Sequence, residues 1–128
     1  MAIKSNKINN FAETQESLNQ TIQTAICLAI NEKIENGVSD RIEEFIEVVS
    51  DMIALYIKKN HDYGDSFAEA YKKFGKIYPL GRIHDKYGRL ENLILKQEQY
   101  VNDESLTDTL EDLACYSVMF INAMNRNE

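Results

Sequence analysis

Tryptophan is absent from this chain of 128 residues, proline occurs once and glycine five times. Long stretches therefore run without a breaker, whereas a β-rich domain of this length needs frequent turn signals. An all-α fold is expected. No apolar run reaches the roughly 18 residues that a membrane-spanning helix needs. The leading segment MAIKSNKINNFAETQ also lacks the apolar stretch of a signal peptide. Export and membrane insertion are not expected. Cysteine occurs only as Cys27 in TAICLAI and Cys115 in LACYSVM. Both sit in apolar surroundings as small hydrophobes, and too few are present for a disulfide framework, so a reducing cytoplasm is the expected location. Positive charge is scarce as well: 14 Lys and Arg stand against 21 Asp and Glu, a net charge of -7. That balance disfavours direct nucleic-acid binding through a basic face, while leaving room for a local basic patch.

What is present is enough to fold. The chain is 44% hydrophobic and 27% charged, which suits one domain with one core. A first amphipathic helix is expected over about 14–35, with Leu18, Ile22, Ala25, Ile26 and Ala29 on one side and Gly37 placed to stop it. Asp40 and Glu43 have the spacing of a reciprocal cap. After them Ile42, Phe45, Ile46, Val49, Met52, Ile53 and Tyr56 form one apolar stripe. That helix runs to Lys58, Lys59 and Gly64, where cations suit the negative end of the dipole. Asp65 or Ser66 can cap a short third helix ending near Gly75. A fourth is expected over 79–97, carrying Leu80, Ile83, Tyr87, Leu90 and Ile94. A fifth is expected over 105–125. The result is a compact bundle of about five helices.

Three stretches carry candidate chemistry. Asp108 and Asp112 lie one turn apart on the last helix, so both carboxylates can face one cation. Their row leads toward Cys115 and Met119. The same residues admit a structural account, in which Asp108 completes a capping box with Ser105 and Asp112 is solvated. Arg82, Lys86 and Arg89 share a face of the fourth helix, with Asp85 at its edge, and three cations together can hold a polyanion such as a triphosphate. Surface ion pairs such as Asp85 with Arg89 are the alternative. A further acidic set, Glu43, Glu44 and Glu47 with Asp51, reads most simply as a solvated face. Helix termination and capping account for the loop from Lys59 to Ser66 but leave Asp62 and Tyr63 unexplained. His61 and His84 have no metal-ligand spacing to either cysteine. No nucleophilic triad and no glycine-rich phosphate loop is present.

Taken in order, KNHDYGDSF (Lys59 to Phe67), RIHDKYGRL (Arg82 to Leu90) and DESLTDTLEDLACY (Asp103 to Tyr116) resemble the nucleotide modification associated domain 1 family. The similarity covers roughly 50–122, dividing the chain into 1–39 outside the family-like segment and 40–128 containing it. That family, largely of phages and bacteria, is in turn similar to the all-helical nucleoside-triphosphate pyrophosphatases of the MazG type. The resemblance implies a helical bundle whose acids bind magnesium, with the metal holding a triphosphate that water cleaves to release pyrophosphate. On this sequence it implies Asp108 and Asp112 as catalytic metal ligands, supported by Glu104 and, from an EExxE pattern, by Glu44 and Glu47. Lys59, Asp62, Tyr63, Arg82, Asp85, Lys86 and Arg89 would contact the nucleotide. The usual ExxD partner pattern is replaced here by Asp108 and Asp112, four residues apart. Alternatives are a nucleotide-binding module without catalysis and a helical adaptor. The first helix, lying outside the similar segment, has an apolar face suited to a homo-oligomer.

Overall fold

A computed structural model describes residues 15–34, 37–63, 65–96 and 103–126, excepting the side chains at 15, 61–63 and 103–105. Among the described residues five helices follow one another: α1 Gln15–Asn31, α2 Asp40–Tyr63, α3 Ser66–Phe74, α4 Ile77–Leu95 and α5 Asp103–Asn125. No strand occurs among the described residues, so the fold is all-α. Packing divides the chain into two compact units, Met1–Gly64 and Asp65–Glu128.

In the first unit α1 packs on α2. The first helix ends at Asn31, short of the expected boundary near residue 35, because local hydrogen bonds compete with its continuation. The Lys33 amide donates to the Ile30 carbonyl at 2.9 Å in the tighter i to i−3 pattern, sharing that acceptor with the Ile34 amide, whose 2.9 Å bond keeps the helical spacing. The Asn31 side-chain oxygen accepts from the Val38 amide at 3.1 Å across the loop. Gly37 has φ +72°, a conformation that glycine adopts without the Cβ penalty. At the start of α2 the Glu43 amide donates to the Ser39 carbonyl at 2.9 Å. Ser39 therefore holds the cap position, and Asp40 and Glu43 lie inside the first turn, where the helix dipole favours them.

The buried line of α2 is narrower than its apolar stripe. Ile46, Ser50 and Ala54, each one turn beyond the last, are buried, whereas Ile42, Phe45, Ile53 and Tyr56 remain exposed. One neighbouring helix covers only part of so wide an arc. Asn19 Nδ2 on α1 donates to Asp51 Oδ1 on α2 at 3.2 Å, fixing the register of the pair.

The second unit contains α3, α4 and α5. Asp65 occupies the cap position of α3 through its backbone alone, its side chain making no cap hydrogen bond. At the other end Gly75 adopts φ +67° and ψ -153° and donates its amide to the Tyr71 carbonyl. That region of backbone space is essentially reserved for glycine. Helix α4 begins two residues before the expected Pro79, which sits in its first turn, buried. Proline is tolerated there because the first-turn amides have no partner within the helix.

The face of α4 that is covered runs through Pro79, Ile83, Lys86, Leu90 and Leu93, while Leu80, Tyr87 and Ile94 form an exposed row. On α5, Thr109 and Ala123 are buried. Aromatic contacts tie the three helices together. Phe67 of α3 meets Tyr78 of α4 edge-on at 5.3 Å and stacks on Tyr116 of α5 at 6.2 Å. Tyr71 of α3 packs against Phe120 of α5 at 6.1 Å. Such ring pairs contribute about 0.5–1.5 kcal/mol each beyond the area they bury.

Candidate functional site

One residue of the expected basic set, Lys86, meets one of the expected acidic set, Asp112, on the seam between α4 and α5. Lys86 Nζ lies 2.8 Å from Asp112 Oδ2, with side chains 24% and 25% exposed respectively. Arg82, one turn earlier on α4, lies over the ring of Tyr116, one turn later on α5, at 5.9 Å. The two contacts define an antiparallel register. Carried one turn further, it brings Leu90 level with Asp108. Asp112 and Tyr116 are thus the α5 residues that meet Lys86 and Arg82, while Cys115 and Met119, on the neighbouring part of the same arc, are half-buried. Neither Cys27 nor Cys115 forms a disulfide, and both are half-buried.

Arg82 is the best-defined cation of the seam. Its Nε donates to the Tyr78 hydroxyl at 3.4 Å, and its guanidinium lies 5.6 Å from the Tyr78 ring centroid as well as over Tyr116. The Tyr78 hydroxyl, followed by the nearby phenols of Tyr116 and Tyr78 and the charge of Asp85, raises its pKa further above an already high value. Burial opposes that rise only weakly. Arg82 is thus a permanent positive charge held between two aromatic rings while its residue remains exposed.

The other expected residues are distributed as follows. Asp85 and Arg89 are exposed on α4, and Asp108 is exposed on α5. Because α5 begins at Asp103, Ser105 is an internal helical residue and does not occupy the cap that a capping box with Asp108 requires. Glu44, Glu47 and Lys59 are exposed on α2, in the first unit. Asp62 and Tyr63 fall in the last turn of α2 and Glu104 in the first turn of α5, but their side chains lie outside the described residues. Sequence reasoning passed over Phe67, Tyr78 and Tyr116 as site residues. The spacing of Tyr116 from Asp108 and Asp112, a continuation by one turn, was the available signal.

Among the described residues, no group of three or more His, Cys, Asp or Glu side chains is placed to hold a metal ion. Asp108 and Asp112 remain as two carboxylates one turn apart. Magnesium commonly uses only one or two protein carboxylates, with substrate phosphates and water completing its octahedron. The donor set therefore fits a magnesium ion carried in with a phosphate ligand. It does not form an all-protein metal cage.

The second unit is thus an all-α body in which a lysine of α4 pairs with an aspartate of α5. The sequence profile of the nucleotide modification associated domain 1 family matches residues 59–124, and the chain belongs to that family. The matched segment contains α3, α4 and the α4–α5 seam, together with the end of α2. No curated protein and no solved structure matches the chain. No helix among the described residues is long and apolar enough to cross a membrane.

Proposed function

We propose that the protein is a magnesium-dependent nucleotide pyrophosphohydrolase, acting on a nucleoside or deoxynucleoside triphosphate in nucleotide or DNA modification. The observation that supports this reading most is the Lys86–Asp112 contact, which places a cation of α4 beside a carboxylate of α5. The α4 cations attract the phosphates, and Asp108 and Asp112 supply the carboxylates for magnesium. When bound, the ion supplies Lewis-acid polarisation of a phosphoryl oxygen and lowers the pKa of a bound water. Attack of water on the α-phosphorus, with cleavage of the α–β anhydride bond, yields a nucleoside monophosphate and pyrophosphate. The similarity to MazG-type enzymes is part of this proposal and rests on the motifs.

The experiment is pyrophosphate release from a panel of triphosphates with and without magnesium, using the wild type and Asp108→Asn. Turnover that requires magnesium and is lost in the variant supports the reading. Full magnesium-dependent turnover by Asp108→Asn sinks it.

One observation favours a second reading, nucleotide binding without hydrolysis. Asp112 is already neutralised by Lys86, leaving less carboxylate charge for a metal. Tight nucleotide binding with no product after long incubation distinguishes this reading from the first.

A homo-oligomer belongs to the proposal as well. Leu80, Tyr87 and Ile94 recur every seven residues on α4 and are 58%, 57% and 54% exposed, and Phe45 on α2 is 70% exposed. Exposed apolar rows of this kind are commonly covered by association. Sedimentation equilibrium tests it, a monomer across the accessible concentration range being the contrary result.

A further inference from the structure

The seam is chemically polar along its length. One end holds Phe67, Tyr78, Tyr116 and Arg82; the other, one turn away on both helices, holds Lys86, Asp112 and then Asp108. The four residues from Arg82 to Lys86 rise about 6 Å along the helix, a separation on the scale of that between a nucleobase and the phosphates of the same nucleotide. Resting on the nucleotide-binding reading above, we propose that the aromatic end is the base subsite, that the Lys86 end takes the phosphates, and that Arg82 reads the edge of the base.

Three observations carry the assignment. First, Phe67 and Tyr116 are stacked with only 22° between their planes, making a layered aromatic surface, and the Arg82 guanidinium lies over Tyr116. Bases stack readily on aromatic faces and on guanidinium planes. Secondly, among the described residues the Arg82 side chain has no carboxylate at ion-pair distance, whereas Lys86 is paired with Asp112. Among the described residues, Arg82 is therefore a charged donor that contacts one hydroxyl and two rings. Thirdly, Tyr78 engages its Nε, which leaves the edge formed by the two Nη atoms available. That edge offers parallel N–H donors and no acceptor. It matches a base presenting adjacent acceptors, as guanine does through O6 and N7, better than adenine, whose corresponding edge pairs an acceptor with an amino donor.

The cation row of α4 is thereby divided. Lys86 and Arg89 belong to the phosphates, and Arg82 belongs to the base. A bare polyphosphate should bypass the aromatic end altogether.

The test is calorimetric titration of the full chain with dGTP, dATP and inorganic tripolyphosphate, all with magnesium. The wild type is compared with Tyr116→Leu, Tyr116→Phe and Arg82→Gln, and circular dichroism checks folding. Expected results are a wild-type preference for dGTP over dATP and a loss of dGTP affinity of about tenfold in Tyr116→Leu, the scale of one stacked base. Tripolyphosphate affinity should be unchanged in that variant. Tyr116→Phe keeps the ring and should bind as the wild type does. Arg82→Gln should remove the preference for dGTP over dATP, with a smaller loss for tripolyphosphate than for dGTP because only long-range attraction is removed there. If Tyr116→Leu or Arg82→Gln weakens tripolyphosphate as much as dGTP, the aromatic end holds phosphate and the assignment is overturned. It is equally overturned if neither substitution affects dGTP, or if the wild type prefers dATP. Should Tyr116→Leu fail to fold, the Tyr116→Phe and Arg82→Gln results still decide. Absence of wild-type binding to all three ligands overturns the nucleotide reading itself, a failure distinct from loss of base discrimination.

Discussion

Lys86 on α4 and Asp112 on α5 form a 2.8 Å ion pair in which both side chains are about three-quarters covered. It lies between the extremes of solvated surface pairs and fully buried ones. Solvent still screens it, but not enough to erase the coupling. Lys86→Met and Asp112→Asn should each lower unfolding stability by about 1 kcal/mol, with a coupling energy of about 0.5–1 kcal/mol in the double-mutant cycle. Urea denaturation of the four proteins measures it, and strictly additive effects would show that the pair contributes nothing.

Glycines of the second unit should respond in opposite directions. Gly81 and Gly88 are internal to α4, and a Cβ at either meets nothing within 4 Å. Alanine at each should stabilise the chain by about 1 kcal/mol, the difference in helix propensity. At Gly75 a Cβ also finds open space, but φ is +67°. Gly75→Ala should cost about 2 kcal/mol through backbone strain alone. Thermal or urea unfolding distinguishes the two classes directly.

Ser50 is fully buried on α2, and its Oγ has no hydrogen-bond partner among the described residues. Ser50→Ala removes an unsatisfied polar atom and improves helix propensity, so stability should rise by about 1 kcal/mol. A loss of similar size in the measured unfolding free energy would show that the hydroxyl is satisfied in solution.

Phe67 is the ring shared by α4 and α5, meeting Tyr78 and Tyr116. Phe67→Ala should destabilise the chain by about 2–3 kcal/mol, below the full cost for a completely buried ring because Phe67 is only half-buried. Phe67→Leu should recover part of that loss, and the two variants are ranked by their denaturation midpoints.

All five helices were legible because their apolar residues recur with helical period and because breakers are scarce. Their ends were less legible. Asn31 accepts a hydrogen bond from Val38 across a loop, and no periodicity signals such a competitor to the next helical turn. Pro79 marked a helix start in the sequence, yet it occupies the first turn of a helix beginning at Ile77.

In the candidate site, the common face of Arg82 and Lys86 was visible from their spacing on one helix. That Lys86 meets Asp112, and that Arg82 lies over Tyr116, depends on the register between two helices. The exposed row of Leu80, Tyr87 and Ile94 teaches the same lesson. A broad apolar arc reveals a helix, but not which part of the arc its neighbour covers.

The cluster around Phe67 also bears on how the second unit assembles. Phe67 and Tyr78 are near neighbours along the chain, joined through the tight turn at Gly75, whereas Tyr116 arrives from the far side of the unit. Local contacts close early at little entropic cost, while distant ones must wait for the intervening chain to be ordered. The α3–α4 corner can therefore serve as a template onto which α5 docks, with Tyr116 completing it. The seam would then be completed at the last folding step, leaving partly folded chains without it.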